Sequence, residues 1–196
     1  MKKILLLTMV ILLFAGCATV GRNFSLENVS ELVLRETTKS DAKFLFGEPN
    51  SLTASSNNDG DIEVMNYVYA SGSLASATAR VLFLEFKENK LNAYVYNSGF
   101  KEDETIFNYD SKDNIVRNSS TKEDVLSIMG APSGKALYPT SFKDYPEDHE
   151  DVSEVWTWSY TSPSDGLDTS TIKSQSVNVF FDDKGIVMEL KANKEY

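Results

Sequence analysis

The sequence predicts an α+β protein built from two tandem units, each a helix-helix-antiparallel-sheet arrangement. A helix pattern with its start and stop signals occurs twice, beginning at Thr38 and again at Thr121, 83 residues later (121 − 38). Alternating apolar and polar residues follow each copy, and that period of two is typical of antiparallel strands. The chain is 41% hydrophobic and 11% aromatic, which is enough apolar surface to form a core. Helices packed over one face of each sheet are what this order of elements favours.

The first 17 residues have the features of a lipoprotein signal peptide. Lys2 and Lys3 precede an apolar stretch over residues 4–15, which is too short to span a membrane as a helix. The stretch ends in Leu-Phe-Ala-Gly-Cys, which resembles a bacterial lipobox ending at Cys17. We therefore expect residues 1–16 to be removed as a signal peptide and Cys17 to carry diacylglycerol, with palmitate among its acyl chains. The alternative is an ordinary signal peptide, but the chain has no second cysteine for a disulfide.

This anchor sets the expected location. Residues 17–23 would form a lipidated tether, held durably because the modification supplies two or three acyl chains. In lipoproteins that this N-terminus resembles, Asp after the cysteine favours the inner membrane, so Ala18 implies the outer membrane of a Gram-negative source. The chain carries 19 Lys and Arg against 29 Asp and Glu, and its net charge of −10 argues against nucleic acid as a partner. Membrane contact is expected only through the lipid on Cys17.

Each copy of the helix pattern contains signals for both helix ends. In the first copy Thr38 is the predicted N-cap, Asp41 completes a capping box, and Gly47 supplies the left-handed residue after the helix. Apolar residues recur between these signals at spacings of three and four, as on a helix with one buried face. The second copy has the same residue types in the same order, at Thr121, Asp124 and Gly130.

The period-two segments predict three or four strands in each unit. In the first unit they cover residues 62–69, 82–86 and 91–95, and a turn joins the last two segments as a hairpin. The second unit repeats this order with segments 155–160, 177–181 and 186–190.

The spacing of the two copies gives the predicted boundaries. A weaker helical segment over residues 26–35 precedes the first capped helix. The last hairpins are 95 residues apart (Phe86 to Phe181), so the second unit holds about 12 more residues, mostly in the acidic stretch 138–152. We predict a first unit over residues 24–100 and a second unit over residues 101–196.

The order Thr-Lys, Asp, Gly-x-Pro, then an aromatic strand and a hairpin, resembles a known family. Both copies carry the helical part of this order, at residues 38–49 and 121–132. The pattern is similar to that of small outer-membrane lipoproteins of the BamE, SmpA and OmlA type. It is also similar to that of the β-lactamase inhibitor protein, which consists of two such units in tandem. The resemblance implies a sheet surface that grips a partner protein.

Residues that carry catalytic chemistry are sparse. The single histidine, His149, lies in an acidic run over residues 144–151, and no nucleophile-elbow or zinc-protease motif is present. We therefore predict that the protein is not an enzyme and has no catalytic residues and no cofactor. The run 144–151 and the segment 57–61 offer oxygen ligands for calcium, but the run lacks the spacing of a calcium loop. A solvated loop and a hairpin turn are favoured, so no metal site is predicted.

Aromatic side chains are the candidates for protein binding. Trp156, Trp158 and Tyr160 occupy alternate positions of one predicted strand and therefore share a face. The favoured interpretation is a core face beneath the helices, and the alternative is an exposed stripe, since Trp and Tyr are enriched at interface hot spots. The full candidate set is Tyr67, Tyr69, Tyr94, Tyr96, Trp156, Trp158 and Tyr160.

The leading functional hypothesis is a non-enzymatic lipoprotein of the outer membrane that binds another envelope protein as a scaffold or assembly factor. The alternative is a protein inhibitor or sensor of an envelope enzyme. A hydrolase or ligand carrier is a weaker third hypothesis, and it would require a deep pocket with convergent polar groups.

Overall fold

Nine strands and three short α-helices form the part of the chain that the computed structural model describes, which is residues 18–57, 60–73, 76–103, 107–142, 151–161 and 174–195. The strands are β1 (Ala18–Val20), β2 (Ser51–Asn57), β3 (Gly60–Ser73), β4 (Ser76–Lys87), β5 (Lys90–Ser98), β6 (Gly134–Leu137), β7 (Glu154–Thr161), β8 (Ser174–Phe181) and β9 (Val187–Glu195). The α-helices are α1 (Leu26–Ser30), α2 (Lys39–Phe46) and α3 (Lys122–Met129), and 3₁₀-helices cover Lys101–Asp103 and Tyr109–Asn114.

All nine strands belong to one antiparallel sheet, so the predicted division into two helix-helix-antiparallel-sheet units is wrong. The strand order is β1-β3-β4-β5-β6-β7-β8-β9, and β2 also pairs with β3. Strands β3, β4, β5, β7, β8 and β9 occur where the period-two segments predicted them, whereas β1, β2 and β6 were not predicted. The error lies in how the strand edges pair, because alternation along one strand carries no information about its neighbours.

The pairing of β5 with β6 joins what would otherwise be two sheets. Three residue pairs form this seam, Ala93 with Ala136, Tyr94 with Lys135, and Val95 with Gly134. An unpaired strand edge exposes a row of backbone hydrogen-bonding groups, so joining the edges of β5 and β6 satisfies groups that two separate sheets would leave open. We refer below to β1–β5 with α1 and α2 as the first half, and to α3 with β6–β9 as the second half.

In the described ranges, the predicted pair of α-helices is present only in the first half, and its first helix is short. The segment 26–35 forms only the five-residue helix α1, and the residues before α3 form the 3₁₀-helix Tyr109–Asn114 instead of an α-helix. Short helices gain little stability from their own hydrogen bonds, so tertiary packing decides which ones form.

The two capped helices are confirmed in detail. Thr38 accepts a hydrogen bond from the Asp41 amide, and the Asp41 side chain accepts one from the Thr38 amide, which completes the capping box. Thr121 and Asp124 make the same reciprocal pair at the start of α3. Gly47 and Gly130 follow the two helices with φ angles of 85° and 75°.

The loop before each capped helix is also repeated. Arg35 and Asn118, 83 residues apart (118 − 35), both have positive φ, 65° and 59°. The Arg35 amide donates to the Leu91 carbonyl at 2.8 Å, and the Asn118 amide donates to the Val187 carbonyl at 2.7 Å. A positive φ is energetically less unfavourable for Asn than for Arg, so the backbone at this position is more strained in the first half than in the second.

Separate clusters of buried side chains cover the two faces of the sheet. On one face, α1 and α2 pack on β3–β5 through residues such as Phe46 and Leu84, and α3 packs on β7 and β8 through Val125 and Val179. On the other face a smaller cluster joins Ala93, Ala136, Val152, Val155 and Phe180, with no α-helix residue in it. The described α-helices therefore lie on one face, and we call the opposite face the helix-free face.

Candidate protein interface

A row of directly opposed residues crosses the helix-free face from β2 to β9. Successive pairings place these residues side by side across eight strands: Ser51, Asn66, Phe83, Val95, Gly134, Thr157, Asn178 and Lys191. We call this set the central row. Seven intervals of about 4.8 Å make the row roughly 34 Å wide, and a face that wide and about 20 Å deep covers roughly 700 Å². That footprint is close to the roughly 800 Å² that each partner contributes to a typical protein complex.

The first half of the helix-free face is mainly apolar. Phe83 and Val95 of the central row are half-buried, as are Val68 and Val81 in the neighbouring row. Among the described residues, the side-chain oxygen Oδ1 of Asn66 is buried and has no hydrogen-bond partner. A buried acceptor without a donor is unfavourable for folding.

Away from the buried cluster of Val155 and Phe180, the second half of the same face is polar and internally hydrogen-bonded. The Thr157 hydroxyl donates to Asn178 Oδ1 at 2.8 Å, and the Ser159 hydroxyl donates to Asn97 Oδ1 at 2.7 Å. The Ser133 hydroxyl donates to the Thr157 carbonyl at 3.1 Å. These bonds hold short polar side chains in fixed positions across strands β5, β7 and β8, which reduces the entropy that they would lose on binding.

A loop of the chain itself covers one end of the helix-free face. Glu85, which is fully buried, accepts hydrogen bonds at Oε2 from the Ser141 amide (2.7 Å), the Ser141 hydroxyl and the Thr140 hydroxyl (3.2 Å). Its other oxygen accepts from Asn92 Nδ2 at 2.6 Å. Phe142, at the end of the same loop, packs edge-on against Phe83 with ring centroids 6.5 Å apart. Glu85 therefore fixes the loop Tyr138–Phe142 on this face.

A buried ion pair fixes the opposite end of the first half, on the helix-bearing face. Arg80 Nε donates to Asp103 Oδ2 at 2.7 Å, and Arg80 Nη2 donates to Asp103 Oδ1 at 3.0 Å. Tyr96 and Ser98 donate their hydroxyls to the same carboxylate. Burial alone would raise the pKa of Asp103, but the hydrogen bonds from Arg80, Ser98 and Tyr96 lower it below the ordinary value. Both carboxylate oxygens of Asp103 therefore have donors, and these hydrogen bonds hold the 3₁₀-helix Lys101–Asp103 against the sheet.

The aromatic residues that the sequence suggested for binding lie on the helix-bearing face. Five of them are buried in the two cores: Tyr67, Tyr94, Tyr96, Trp156 and Trp158. Tyr69 and Tyr160 are half-buried on the same face. Burial raises the pKa of Tyr67 and of Tyr94 to about 12, with a further contribution from Glu48 and Glu154 respectively. Their positions match the core interpretation of the aromatic stripe, while the binding role stays a prediction.

Tyr96 and Trp158 also line a cavity of about 340 Å³ between the two halves. The indole nitrogen of Trp158 donates to the Gly130 carbonyl at 3.2 Å.

The residues of the helix-free face were not among those predicted from the sequence to bind a partner. Strand β4 has apolar residues on both faces, with Leu82 and Leu84 facing the helices and Val81 and Phe83 facing away. Alternation cannot assign the faces of such a strand. The one available signal was Glu85, a charged residue inside an apolar run, because buried charges need specific partners.

Several sequence predictions fall outside the described residues. Cys17, His149 and the acidic run over 144–150 lie there, as do two residues of the segment 57–61. Within the described part of the chain, no group of three or more His, Cys, Asp or Glu is placed to hold a metal ion. No helix in that part is both long and apolar enough to cross a membrane.

Comparison with known proteins shows that the chain is similar in fold to a solved structure. No protein-family model matches the chain, and no curated protein sequence matches it. A crystal structure from Streptococcus mutans, described as a "putative beta-lactamase inhibitor protein", is similar with a TM-score of 0.50 and 13% sequence identity. The match covers 86% of this chain and 93% of that one. The chain therefore has the fold of that protein, which agrees with one of the two resemblances suggested by the sequence; the likeness to BamE-type tandem lipoproteins is not supported.

Proposed function

We propose that this protein is a non-catalytic binding module that contacts another protein through the helix-free face of its sheet. The observation that carries the proposal is the central row, which continues across the seam between the two halves; Phe142 of the covering loop packs against one of its members, Phe83. An interface usually combines an apolar centre with polar surroundings, and this face has an apolar first half beside a polar second half.

We further propose that the partner is an enzyme and that binding occludes it. The support is the description of the structurally similar protein as a β-lactamase inhibitor, together with the inhibitor resemblance noted in the sequence. A β-lactamase is therefore the first enzyme to assay. The chain's net charge of −10 favours a partner with a basic contact surface, because opposite potentials speed association and align the two proteins.

Titration of a purified β-lactamase with the mature chain, carrying Cys17→Ser for solubility, tests the inhibitor proposal. We expect a stoichiometric loss of hydrolysis of a chromogenic substrate. The double variant Asn97→Arg with Ser176→Arg places two cations on the helix-free face and should weaken inhibition at least tenfold. The matched control Ser127→Arg lies on the exposed surface of α3 and should leave inhibition unchanged. Inhibition that both variants retain equally would contradict the use of this face.

A second proposal concerns the scaffold role, which the lipobox-like N-terminus favours. If Cys17 is lipidated, the protein acts at a membrane, as a scaffold for an envelope complex or as an anchored inhibitor. Replacing Cys17 by Ser should move the protein from the membrane fraction to the soluble fraction of fractionated cells. A Cys17→Ser protein that is cleaved after residue 16 and stays membrane-bound would rule out anchoring through this residue.

A further inference from the structure

A groove opens on the helix-bearing face where the two halves meet. Its volume is about 530 Å³, within the range of roughly 300–1,000 Å³ that is usual for small-molecule sites. The loop before α2 forms one side, and the ends of β6, β7 and the last hairpin form the other. The lining residues are Leu32, Val33, Leu34, Arg35, Lys122, Lys135, Leu137, Ser153, Glu154 and Asp183. We call it the cationic groove.

Lys135 is the unusual member of this lining. Pairing across the helix-bearing face places eight residues in one row: Leu52, Met65, Leu84, Tyr94, Lys135, Trp156, Val179 and Leu190. Lys135 is the only charged residue among them, and it lies at the seam between the two cores. Its ammonium nitrogen is 4.4 Å from the centroid of the Trp156 ring, which gives a cation–π contact.

The other charges of the groove leave Lys135 without an acceptor. Lys122 Nζ is 2.5 Å from Glu154 Oε2, and the indole nitrogen of Trp156 donates to Glu154 Oε1 at 2.5 Å. Both oxygens of Glu154 therefore already have a donor. Within the described part of the chain, Lys135 Nζ has no hydrogen-bond acceptor or salt-bridge partner.

Desolvation makes this ammonium group unfavourable as it stands. Burial lowers the pKa of Lys135, partly offset by the attraction of Glu154, and the nearby charge of Lys122 lowers it further. A buried cation is stabilised by a hydrogen-bonded anion more than by a neutral group. Three basic residues and two acidic ones line the groove, so its lining has a surplus of one positive charge in a chain whose net charge is −10.

The rest of the lining consists of apolar residues, Arg35, Ser153 and the exposed Asp183. Leu32 and Leu137 are buried and form apolar walls, and Val33 is 46% exposed at the rim. Arg35 lines the groove from the left-handed backbone position at which the second half has Asn118. A ligand that suits both features carries a negative charge at one end and an apolar body at the other.

We propose that the cationic groove binds a small organic carboxylate with an apolar body. Its carboxylate accepts hydrogen bonds from Lys135, Arg35 adds positive charge at the rim, and the apolar body packs on Leu32 and Leu137. This site lies on the opposite face from the proposed protein interface and does not depend on it.

Fluorine NMR of the mature chain with 4-fluorophenylacetate as the probe tests the proposal, and the neutral 4-fluorophenylacetamide is the matched ligand control. For so small a ligand we expect a dissociation constant on the order of 1 mM for the acid, and binding at least tenfold weaker for the amide. Lys135→Met keeps an apolar chain over Trp156 and should weaken binding of the acid at least tenfold. Lys101→Met removes an exposed lysine outside the groove and should not change it.

Arg35→Gln is a second variant on an exposed residue, in case Lys135→Met disturbs packing. It should weaken binding of the acid by about threefold while the spectrum of the folded protein is unchanged. Equal binding of acid and amide would overturn the proposal. Unchanged affinity for the acid in both Lys135→Met and Arg35→Gln would also overturn it. The same holds if the wild type does not bind the acid at concentrations up to about 10 mM.

Discussion

Ala93 on β5 lies directly opposite Ala136 on β6, and this pair forms one end of the contact that joins the two halves of the sheet. Both side chains are buried on the helix-free face, in a cluster with Val155 and Phe180. The seam is only three pairs long. The continuity of the helix-free face therefore depends on close backbone approach along very few residues.

Gly134, at the end of the seam, is the residue whose substitution should affect this contact most. A Cβ added there would lie 2.8 Å from the Tyr94 carbonyl oxygen and 3.3 Å from the Val95 Cα, so the backbone of β5 would have to move. We expect Gly134→Ala to lower the free energy of unfolding by about 1–3 kcal/mol, measured by urea denaturation. Ser127→Ala, on an exposed surface of α3, should change it by less than about 0.5 kcal/mol. Equal losses in the free energy of unfolding for Gly134→Ala and Ser127→Ala would contradict the close approach of β5 and β6 at Gly134.

The buried pair of Arg80 and Asp103 should be a large contributor to stability. Asp103→Asn removes the charge and turns an amide donor toward the guanidinium, so Arg80 loses its buried counter-charge. We expect a loss of about 3 kcal/mol in the free energy of unfolding. Asp113→Asn breaks the pair of Lys112 and Asp113, whose aspartate is 72% exposed, and should cost less than about 1 kcal/mol. Similar losses for both variants would contradict a special role for the buried pair.

The same pair predicts how stability depends on pH. The folded-state pKa of Asp103 is lowered, so its contribution is present above the unfolded-state pKa of about 3.9 and is lost as the pH falls through the folded-state value. The wild type should therefore lose stability steeply below about pH 4. Asp103→Asn should show a shallower decline over that range in urea titrations at several pH values. If the free energy of unfolding falls equally with pH in the wild type and in Asp103→Asn, the pKa of Asp103 does not differ between the folded and unfolded states.

Glu85 should control whether the loop Tyr138–Phe142 stays on the helix-free face. Glu85→Ala removes the acceptor of the Ser141 amide, and amide hydrogen exchange at Ser141 should accelerate by about tenfold or more. Asn92 keeps two acceptors, the Leu137 and Pro139 carbonyls at 3.1 Å each, so the neighbouring strand should remain protected. Glu88→Ala, in the exposed hairpin turn, is the control and should leave the exchange at Ser141 unchanged.

Local features of this fold were predictable from the sequence, and long-range pairing was not. Thr38 and Thr121 cap their helices as predicted because capping depends on residues only three positions away. The seam from Ala93 to Ala136 brings together segments 43 residues apart (136 − 93), and nothing in either segment identifies its partner.

The candidate site was predictable in part for the same reason. The aromatic residues Trp156 and Trp158 were correctly placed on one strand face, but alternation alone left open which face was buried. Asn97 and Ser159 of the helix-free face are ordinary polar residues, and their significance follows from hydrogen bonding across two strands.

Site-specific photo-crosslinking in cells of the source organism tests the central claim most directly. A photoreactive amino acid would replace Asn97 on the helix-free face in one strain and Ser127 on α3 in another. The account predicts a discrete crosslinked protein species from position 97 that is absent from position 127. Crosslinks of equal yield from both positions, or from position 127 alone, would contradict binding through the helix-free face.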